Sequence, residues 1–360
     1  MKITNFTCRA LIFFFWIGVI STIFFMVTPD TSRESQEKTL HIYGWPGLFT
    51  PEILEKFERE SQVKIEVHTY SSNEEMLCKM RAVGSKGYDL IVPSDYAVST
   101  LVEEGLIKPI DHSQLEFFEL INPILRGHEY DRENRFAIPY QWEIFGFGID
   151  RDYFEKKQSH PSWEMFFNPT DPNLKLGMLN DPIEAVKLAA QYLFGTVRSL
   201  NVGQMQEVRN LLDHQKKWVE AYCGMQAYYL LSTKNCQLAV CTSSYIFGSA
   251  SQYPHVKFVL PEHRKFISIE NMCISKDSTK DRTIYAFLNF IYRPENQAPI
   301  INRFLAFPAT IDVAPHLRVI PEYMEILENS HILAGHIDFI HNLAREKEIL
   351  DLWVDIKSKP

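Results

Sequence analysis

Aromatic and acidic side chains gather at the ends of predicted strands in this chain of 360 residues. Most follow a strand directly, and one lies within a strand. The set comprises Trp45, Ser94, Asp95, Tyr96, Asp181, Glu184 and Glu270. Aromatic faces attract ammonium groups, and carboxylates bind them through charge-assisted hydrogen bonds. In open α/β sheets, ligands bind beyond the carboxyl ends of the strands. The pattern therefore predicts a site for a cationic, partly apolar ligand.

These residues also have a structural interpretation. Aspartate at a turn from strand to helix most often caps the helix, so Asp95 and Asp181 could be N-caps. Trp45 could be an ordinary core residue. The functional interpretation rests on the agreement between several strand ends.

Strands and helices alternate in the first part of the chain. The segments "TLHIYGW", "VKIEVHTY" and "YDLIVPS" have the composition of strands. The segments "TPEILEKFERES", "SNEEMLCKMRAV" and "YAVSTLVEEG" have helical patterns, with Thr50 and Ser72 as candidate N-caps. This alternation indicates βαβ units and a parallel sheet.

A second alternating set begins at "LKLGMLND", after two extended segments within residues 135–152. It includes a helix beginning at Pro182, a long helix predicted over residues 201–222, and a strand followed by a helix over residues 236–251. The length exceeds what one hydrophobic core usually supports. We therefore expect two α/β lobes joined by extended crossovers, with a helical tail over residues 317–357.

The composition limits the functional classes. The chain is 46% hydrophobic and 23% charged, which is typical of a globular protein. Its formal net charge is −8, and no Lys/Arg cluster follows the N-terminal region, which argues against nucleic-acid binding. An acidic balance suits cationic partners, but it is equally typical of a protein that is merely soluble.

The N-terminus has the pattern of an export segment. Lys2 and Arg9 precede an uncharged apolar run over residues 10–27, and a polar linker follows over residues 28–37. The run is longer than the apolar core of most cleaved signal peptides. We interpret residues 1–37 as an export signal, either cleaved or retained as a membrane anchor, plus its linker.

The cysteines and the known motifs give little support for catalysis. Five cysteines follow the leader, so at least one thiol stays unpaired. The spacing leaves undecided whether two of Cys223, Cys236 and Cys241 form a disulfide. Cys78, expected in the core, and Cys241 are the candidate nucleophiles. The sequence lacks H-E-x-x-H, G-x-S-x-G, P-loop and G-x-G-x-x-G motifs. We predict no enzyme activity, no metal site and no cofactor.

Five segments resemble the spermidine/putrescine-binding proteins of bacterial polyamine ABC importers. They are "LHIYGWPGLFTPEILEKFERESQVKIEVHTYSSNEEM", "YDLIVPSDYAVSTLVEEGLIKPID", "FAIPYQWEIFGFGIDRDYF", "KLGMLNDPIEAV" and "RFLAFPAT". The match stays in register from about residue 39 to about residue 311.

The resemblance implies a bilobal, type II periplasmic-binding-protein-like α/β fold, with two crossovers and a ligand cleft between the lobes. One lobe would comprise residues 38–140 and 264–310, and the other residues 145–260 and 312–360.

The resemblance also assigns roles to single residues. It makes Trp45 a stacking residue and Tyr96 a cleft tyrosine with Ser94 and Asp95 beside it. Asp181 and Glu184 match the acidic pair that holds one amine, and Glu270 stands where the family has an aspartate for the other. Two aromatic positions differ: Thr242 replaces a tryptophan and Phe307 replaces a tyrosine.

The implied function is that of the substrate-binding subunit of an ABC importer for a polyamine or a related cationic amine. Its partners would be a permease and an ATPase, and its location would be the periplasm, with or without a membrane anchor. The alternatives are a sensor of the same fold, a protein for another cationic solute, and a cysteine-dependent enzyme of the thiamin-degrading type.

The leader supplies the first testable prediction. We expect cell fractionation to recover the protein outside the cytoplasm, because the basic residues hold the N-terminus inside while the apolar run directs the rest across the membrane. The intact mass of the membrane-extracted protein decides whether residues 10–27 are removed. Recovery wholly in the cytoplasm would refute the export assignment.

Overall fold

The computed structural model describes residues 15–19, 38–195, 199–224, 226–250, 252–262, 265–333, 337–338 and 346–358. Strands β1 to β12 are, in order, Thr39–Gly44, Lys64–Thr69, Leu90–Ile91, Ile107–Lys108, Ile138–Asp150, Leu176–Leu179, Val219–Cys223, Leu238–Thr242, Val256–Val259, Lys265–Ser275, Phe307–Pro308 and Ile337–Asp338.

The α-helices are numbered from Pro51 onward, within the same residues. Helices α1 to α14 are, in order, Pro51–Ser61, Asn73–Val83, Asp95–Glu103, Arg151–Lys157, Trp163–Phe167, Pro182–Phe194, Val202–Gln215, Ala227–Ser232, Ser243–Ala250, Asp281–Ile291, Pro294–Phe304, Pro321–Glu328, Ser330–Leu333 and Glu346–Ser358.

The sheet consists of two parallel halves joined by a central antiparallel pair. Its main order is β2-β1-β3-β10-β5-β8-β6-β7. Strand β1 lies parallel to β2 and β3, and β6 lies parallel to β7 and β8. Each half thus has its first strand between its second and third. The two-lobed α/β fold predicted from the sequence is confirmed by this arrangement.

The long strands β5 and β10 connect the halves. They pair antiparallel from Phe145↔Phe266 to Ile138↔Met272. Beyond this shared stretch, β10 pairs with β3 and β4, whereas β5 pairs with β8 and β9. A β-bulge between Glu270 and Asn271 interrupts the central pairing. Because bulges re-aim side chains, the position is suited to a functional residue.

Local sequence signals explain how the helices near the strand ends begin. Pro51 and Pro182 each occupy the first helical turn, where the missing N–H costs no helical hydrogen bond. The Ser72 hydroxyl accepts a hydrogen bond from the Glu75 N–H at 3.1 Å and so caps α2. Helix α2 then buries Met76 and Met80 against the sheet. These starts fix where each strand-to-helix turn points.

Two sequence-based assignments were wrong. The helix predicted over residues 201–222 ends at Gln215; a short 3₁₀ turn follows, and Val219–Cys223 becomes edge strand β7. Pairing with β6 overrides the local helical preference there. Cys78 is exposed and not in the core. It lies two positions from Met76, on the opposite side of α2.

The predicted leader lies mostly outside the described residues. Residues 15–19 are helical, and Phe15 and Trp16 are exposed. Among the residues that the structure describes, no helix has both the length and the apolar character needed to cross a membrane.

Candidate functional site

The polar strand ends meet where the two halves of the sheet join. The Ser94 hydroxyl, at the end of β3, donates a hydrogen bond to Glu270 Oε1 at 2.9 Å. Ser94 and Glu270 also form an isolated backbone bridge. Glu270 pairs with Gln141 of β5, at the point where the register between the two strands shifts and Tyr140 of β5 is left unpaired with β10. Ser94, from the first half of the sheet, therefore fixes the Glu270 carboxyl beside the central strand pair.

Trp45 follows β1 and lies beside the same carboxyl. Its ring contacts the Tyr70 ring edge-on, with the centroids 4.6 Å apart. Its Nε1 is buried and makes no hydrogen bond within the described residues. Burial raises the pKa of Glu270 to about 8, and the Ser94 hydroxyl and the Trp45 indole oppose part of that shift. Trp45 also packs against both large core clusters. Trp45 can therefore pack in the core and still present its indole N–H to a ligand.

Asp95 is fully buried and does not cap a helix. Ser94 is the N-cap of α3, and Asp95 is its first residue. Asp95 Oδ1 accepts the Tyr96 N–H at 2.8 Å, whereas Oδ2 has no hydrogen bond within the described residues. Burial raises the pKa of Asp95 to about 8, although the N–H groups of Tyr96 and Ile269 and the charge of Lys187 oppose the shift. The N-cap interpretation of Asp95 was therefore wrong.

Tyr96 links this edge of the sheet to a second acidic group. Its hydroxyl donates a hydrogen bond to Glu74 Oε1 at 3.1 Å. Burial raises the pKa of Tyr96, and the charges of Asp181, Glu74 and Glu184 raise it further. The tyrosine therefore lies between carboxylates of both halves of the fold.

Asp181 and Glu184 begin helix α6, as predicted. Asp181 Oδ1 accepts the Glu184 N–H at 2.8 Å, so its N-cap role is confirmed. Burial raises the pKa of Asp181 to about 6, and the charge of Glu74 adds to the shift. Burial also raises the pKa of Glu184 well above its ordinary value, helped by Asp181, Glu143, Glu270 and Glu74. These groups share one electrostatic environment.

Glu143 joins this environment and was missed in the sequence. It lies in the middle of β5 and accepts a hydrogen bond from the Ser244 hydroxyl. Burial raises its pKa, while the neighbouring hydroxyl groups of Ser244 and Thr242 lower it. One signal was available: Glu143 is the single acidic residue within the otherwise uncharged run "IPYQWEIFGFGI".

Glu74 and Tyr245 were also missed. Glu74 lies in the first turn of α2, where an acidic residue ordinarily complements the helix dipole, so nothing in the sequence marked it. Tyr245 lies in α9, and its pKa is raised by burial and then by Glu143, Glu184 and Glu270. Both residues thus join Glu143, Asp181, Glu184 and Glu270. We call this group of carboxylates, with Tyr245 beside it, the acidic centre.

Several buried polar atoms at this centre have no hydrogen-bond partner among the described residues. They are Trp45 Nε1, Asp95 Oδ2, Gln141 Nε2, Thr242 Oγ1, Ser243 Oγ and Glu270 Oε2. Buried polar atoms are normally satisfied, so a group of such atoms requires an explanation. Donors and acceptors are both present, which suits a polar ligand or ordered water.

Protein surrounds the carboxylates, although most of the residues that carry them are only half-buried. Those of Glu74, Glu143, Asp181, Glu184 and Glu270 belong to half-buried residues, in contrast to Asp95. Like charges held close together and partly desolvated favour protonation or the binding of a cation. Lys187 of α6 is fully buried and lies over the Phe266 ring, with Nζ 6.0 Å from the centroid. The centre is therefore strongly acidic, with a lysine at its base.

The two aromatic departures from the resembled family have different surroundings. Thr242 ends β8 at the acidic centre, and its small side chain leaves room for Glu143 to approach it. Phe307 is fully buried and stacks on Trp142, with ring centroids 4.4 Å apart. Phe307 is therefore part of the hydrophobic core, whereas Thr242 lies beside the carboxylate of Glu143.

The cysteines do not form an activated nucleophile. All five described cysteines are free, including the group Cys223, Cys236 and Cys241. Burial raises the pKa of the Cys241 thiol, which keeps it protonated. Cys78 is exposed on α2.

The fold and the acidic centre define a solute-binding protein built from two α/β halves. The chain belongs to the bacterial extracellular solute-binding proteins, and the model of that family matches residues 52–323.

Individual relatives agree with this assignment. A putrescine-binding periplasmic protein of Pseudomonas aeruginosa is 27% identical over 285 residues, which is 75% of this chain and 77% of the relative. The spermidine/putrescine-binding periplasmic protein of Escherichia coli is 25% identical over 266 residues, covering 74% and 76%. A Listeria monocytogenes protein named for a spermidine/putrescine ABC transporter superimposes with a TM-score of 0.79 at 25% identity, covering 89% and 99%.

The raised pKa values predict how stability depends on pH without ligand. Glu270 has a pKa near 8 when folded and near 4.5 ordinarily, so the folded protein holds a proton that the unfolded chain has released. Stability should therefore fall as pH rises from about 4.5 to about 8. In Glu270→Gln this fall should be smaller, because one titrating group is gone while Asp95 remains. Thermal unfolding midpoints at pH 5 and pH 8 measure it.

The exposed Glu207→Gln substitution in α7 is the matched control and should leave the pH dependence unchanged. If the Glu270→Gln variant loses as much stability between the two pH values as the unmodified protein, Glu270 is not a buried, protonated group.

Proposed function

We propose that this protein captures a polyamine or a related cationic amine at the acidic centre and delivers it to an ABC importer. The observation that carries the proposal is the group of half-buried carboxylates on both halves of the fold, with raised pKa values and unpartnered polar atoms beside them. An ammonium group would neutralise these charges and supply hydrogen-bond donors. The names of the relatives point to the same ligand class.

In the proposed binding mode, the ligand lies between two acidic ends. Asp181 and Glu184 receive one ammonium group, and Glu270 receives another beside the Trp45 ring. The hydrogen bond from the Glu184 N–H uses Asp181 Oδ1, and Oδ2 is the oxygen that we assign to the ligand. Tyr96 lines the path between the ends. Ser94 and the fully buried Asp95 act beneath the ligand, by positioning Glu270 and the start of α3.

Closure of the two lobes would follow from contacts on both sides. The predicted lobes, residues 38–140 with 264–310 and residues 145–260 with 312–360, each contribute carboxylates to the centre. A ligand shifts a conformational equilibrium only through a difference in its contacts with the two states. A cation held by both lobes stabilises the closed state for that reason.

The proposed setting is the periplasm, reached by means of the N-terminal segment, which is either cleaved or retained as an anchor. The closed, loaded protein would dock on a permease whose transport is driven by an ATPase. Its contribution is capture and delivery without covalent chemistry. Relatives named as periplasmic binding proteins support this assignment.

A thermal-shift screen tests the ligand class. The purified protein is heated with putrescine, cadaverine, spermidine, basic amino acids or thiamin. A ligand present at a hundred times its dissociation constant stabilises the folded state by about 2.7 kcal/mol. We expect the largest shifts with the aliphatic amines. Stabilisation by thiamin, with none by any amine, would contradict the proposal and favour the enzyme alternative.

Asp181→Asn should cripple amine binding while leaving the fold intact. Asparagine still caps α6, because its side-chain oxygen can accept the Glu184 N–H. An ammonium group left desolvated without its partner costs about 3–5 kcal/mol, or roughly 10²- to 10⁴-fold in affinity. Calorimetric titration with the best amine from the screen measures this loss.

The competing interpretation is that Asp181 serves only as a cap. In that case Asp181→Asn would bind the amine within about threefold of the unmodified protein, a difference below about 0.7 kcal/mol. An unchanged unfolding midpoint without ligand confirms that the variant is folded.

Glu143→Gln should weaken the binding of spermidine more than that of putrescine. Glu143 adds a carboxylate between Glu184 and Glu270, and spermidine carries an additional ammonium group between its ends. Loss of a charged hydrogen bond costs about 1.5–3 kcal/mol, or roughly tenfold to a hundredfold in affinity. Titration of both amines against this variant and against Glu207→Gln gives the comparison. Equal losses for the two amines would place Glu143 outside the contact with the inner ammonium.

A further inference from the structure

A second cluster of ligating side chains lies on the first two strands, away from the acidic centre. His41 belongs to β1, and Glu66 and His68 belong to the edge strand β2. The parallel register places His41 directly beside Glu66 and Tyr43 beside His68. Because side chains alternate along a strand, all of these project from the same face of the sheet. The sequence did not reveal the cluster, because β1 and β2, which carry its members, become neighbours only in the folded sheet.

The distances within the cluster suit a common metal ion. His41 Nδ1 lies 3.5 Å from Glu66 Oε2. One ligand atom from each of His41, Glu66 and His68 falls within 4.8 Å of the others. The two imidazole rings lie face to face, with centroids 5.9 Å apart and planes inclined by 28°. His41 Nδ1 is buried and makes no hydrogen bond within the described residues.

We propose that His41, Glu66 and His68 bind one Zn²⁺ ion. Two imidazole nitrogens and one carboxylate oxygen are an established zinc ligand set, with bonds of about 2.0–2.2 Å. Tetrahedral bonds of that length separate neighbouring ligand atoms by roughly 3.3 Å, close to the separation between His41 and Glu66. His68 reaches the ion by a small side-chain rotation, because it is exposed. Its exposure also leaves the fourth position open to water.

The surrounding charges are compatible with a bound cation. Lys64 Nζ donates to Glu66 Oε1 at 2.6 Å, so Oε2 remains for the metal. Lys280 Nζ is paired with Asp89 Oδ2 at 2.9 Å. The same Asp89 oxygen accepts the His41 backbone N–H at 2.9 Å, which fixes the position of His41 on its strand. Both nearby ammonium groups therefore already have carboxylate partners.

A metal ion at this position would tie edge strand β2 to β1. Trp45 lies four residues beyond His41, or roughly 13 Å of extended strand. The zinc site is thus separate from the amine site in position and in chemistry. Binding of Zn²⁺ and binding of an amine can therefore be tested independently.

The test is calorimetric titration of Zn²⁺ into purified, chelator-treated protein that carries no histidine tag. We expect one ion per chain in the unmodified protein. Loss of a residue that only orients a metal ligand lowers metal affinity by about 10–100-fold. Loss of a direct ligand in His68→Ala should therefore lower the affinity for Zn²⁺ at least about tenfold. Glu66→Gln should behave similarly. His160→Ala, an exposed histidine outside the cluster, is the matched control.

Two further readouts complete the experiment. Co²⁺ should give tetrahedral visible absorption bands with the unmodified protein and with His160→Ala, but not with His68→Ala. Asp181→Asn should bind Zn²⁺ as the unmodified protein does, which separates this site from the cleft carboxylates. If His68→Ala and Glu66→Gln bind Zn²⁺ as tightly as the control, or if the unmodified protein binds none, the proposed zinc site is wrong.

Discussion

Partly desolvated negative charge at the join between two half-sheets is the constraint on which the rest of this structure depends. Burial raises the pKa of Glu270 to about 8 and that of Asp181 to about 6, and it raises the pKa values of Glu143 and Glu184 as well. Carboxylates this close together cannot all stay ionised without a counter-charge. We expect protons to supply it in the free protein, and a ligand with ammonium groups can supply it when bound.

The sheet topology creates this concentration of charge. Strands β5 and β10 run antiparallel through the middle, so Glu143 and Glu270 come from the two segments that connect the halves. Helix α2 brings Glu74 from one side, and α6 brings Asp181 and Glu184 from the other. In the proposed binding mode a cation at the centre would contact both halves at once. Binding of the charge and closure of the two lobes would then be coupled.

The sequence identified part of the candidate site, chiefly side chains that follow strand ends. Ser94 and Glu270 were expected near each other and are hydrogen-bonded, because their strands, β3 and β10, are neighbours in the sheet. Glu143, like Glu270, lies within a strand, but the family resemblance marked only Glu270. Glu74 escaped prediction because an acidic first helical turn is ordinary. Both were found only through contacts between elements distant along the chain.

The errors in the fold have the same origin. Val219–Cys223 continued a helical pattern but pairs with β6, a contact that local sequence does not encode. Cys78 was assigned to the core, yet the sheet buries the face of α2 that carries Met76 and Met80. Strand pairing determined the first case, and the orientation of α2 on the sheet determined the second. The two-lobed alternation itself was predictable, because hydrophobic periodicity and turn residues repeat it in both halves.

Proton release on ligand binding reports whether the carboxyl groups of the acidic centre are protonated in the free protein. Spermidine is titrated into the protein at pH 7 in two buffers of different ionisation enthalpy. The difference between the observed binding enthalpies gives the number of protons exchanged. We predict net proton release, since the amine keeps its own protons at this pH while carboxyl groups with raised pKa values must ionise to receive it. Equal enthalpies in both buffers would contradict the account, because the carboxylates would then be ionised before the ligand arrives.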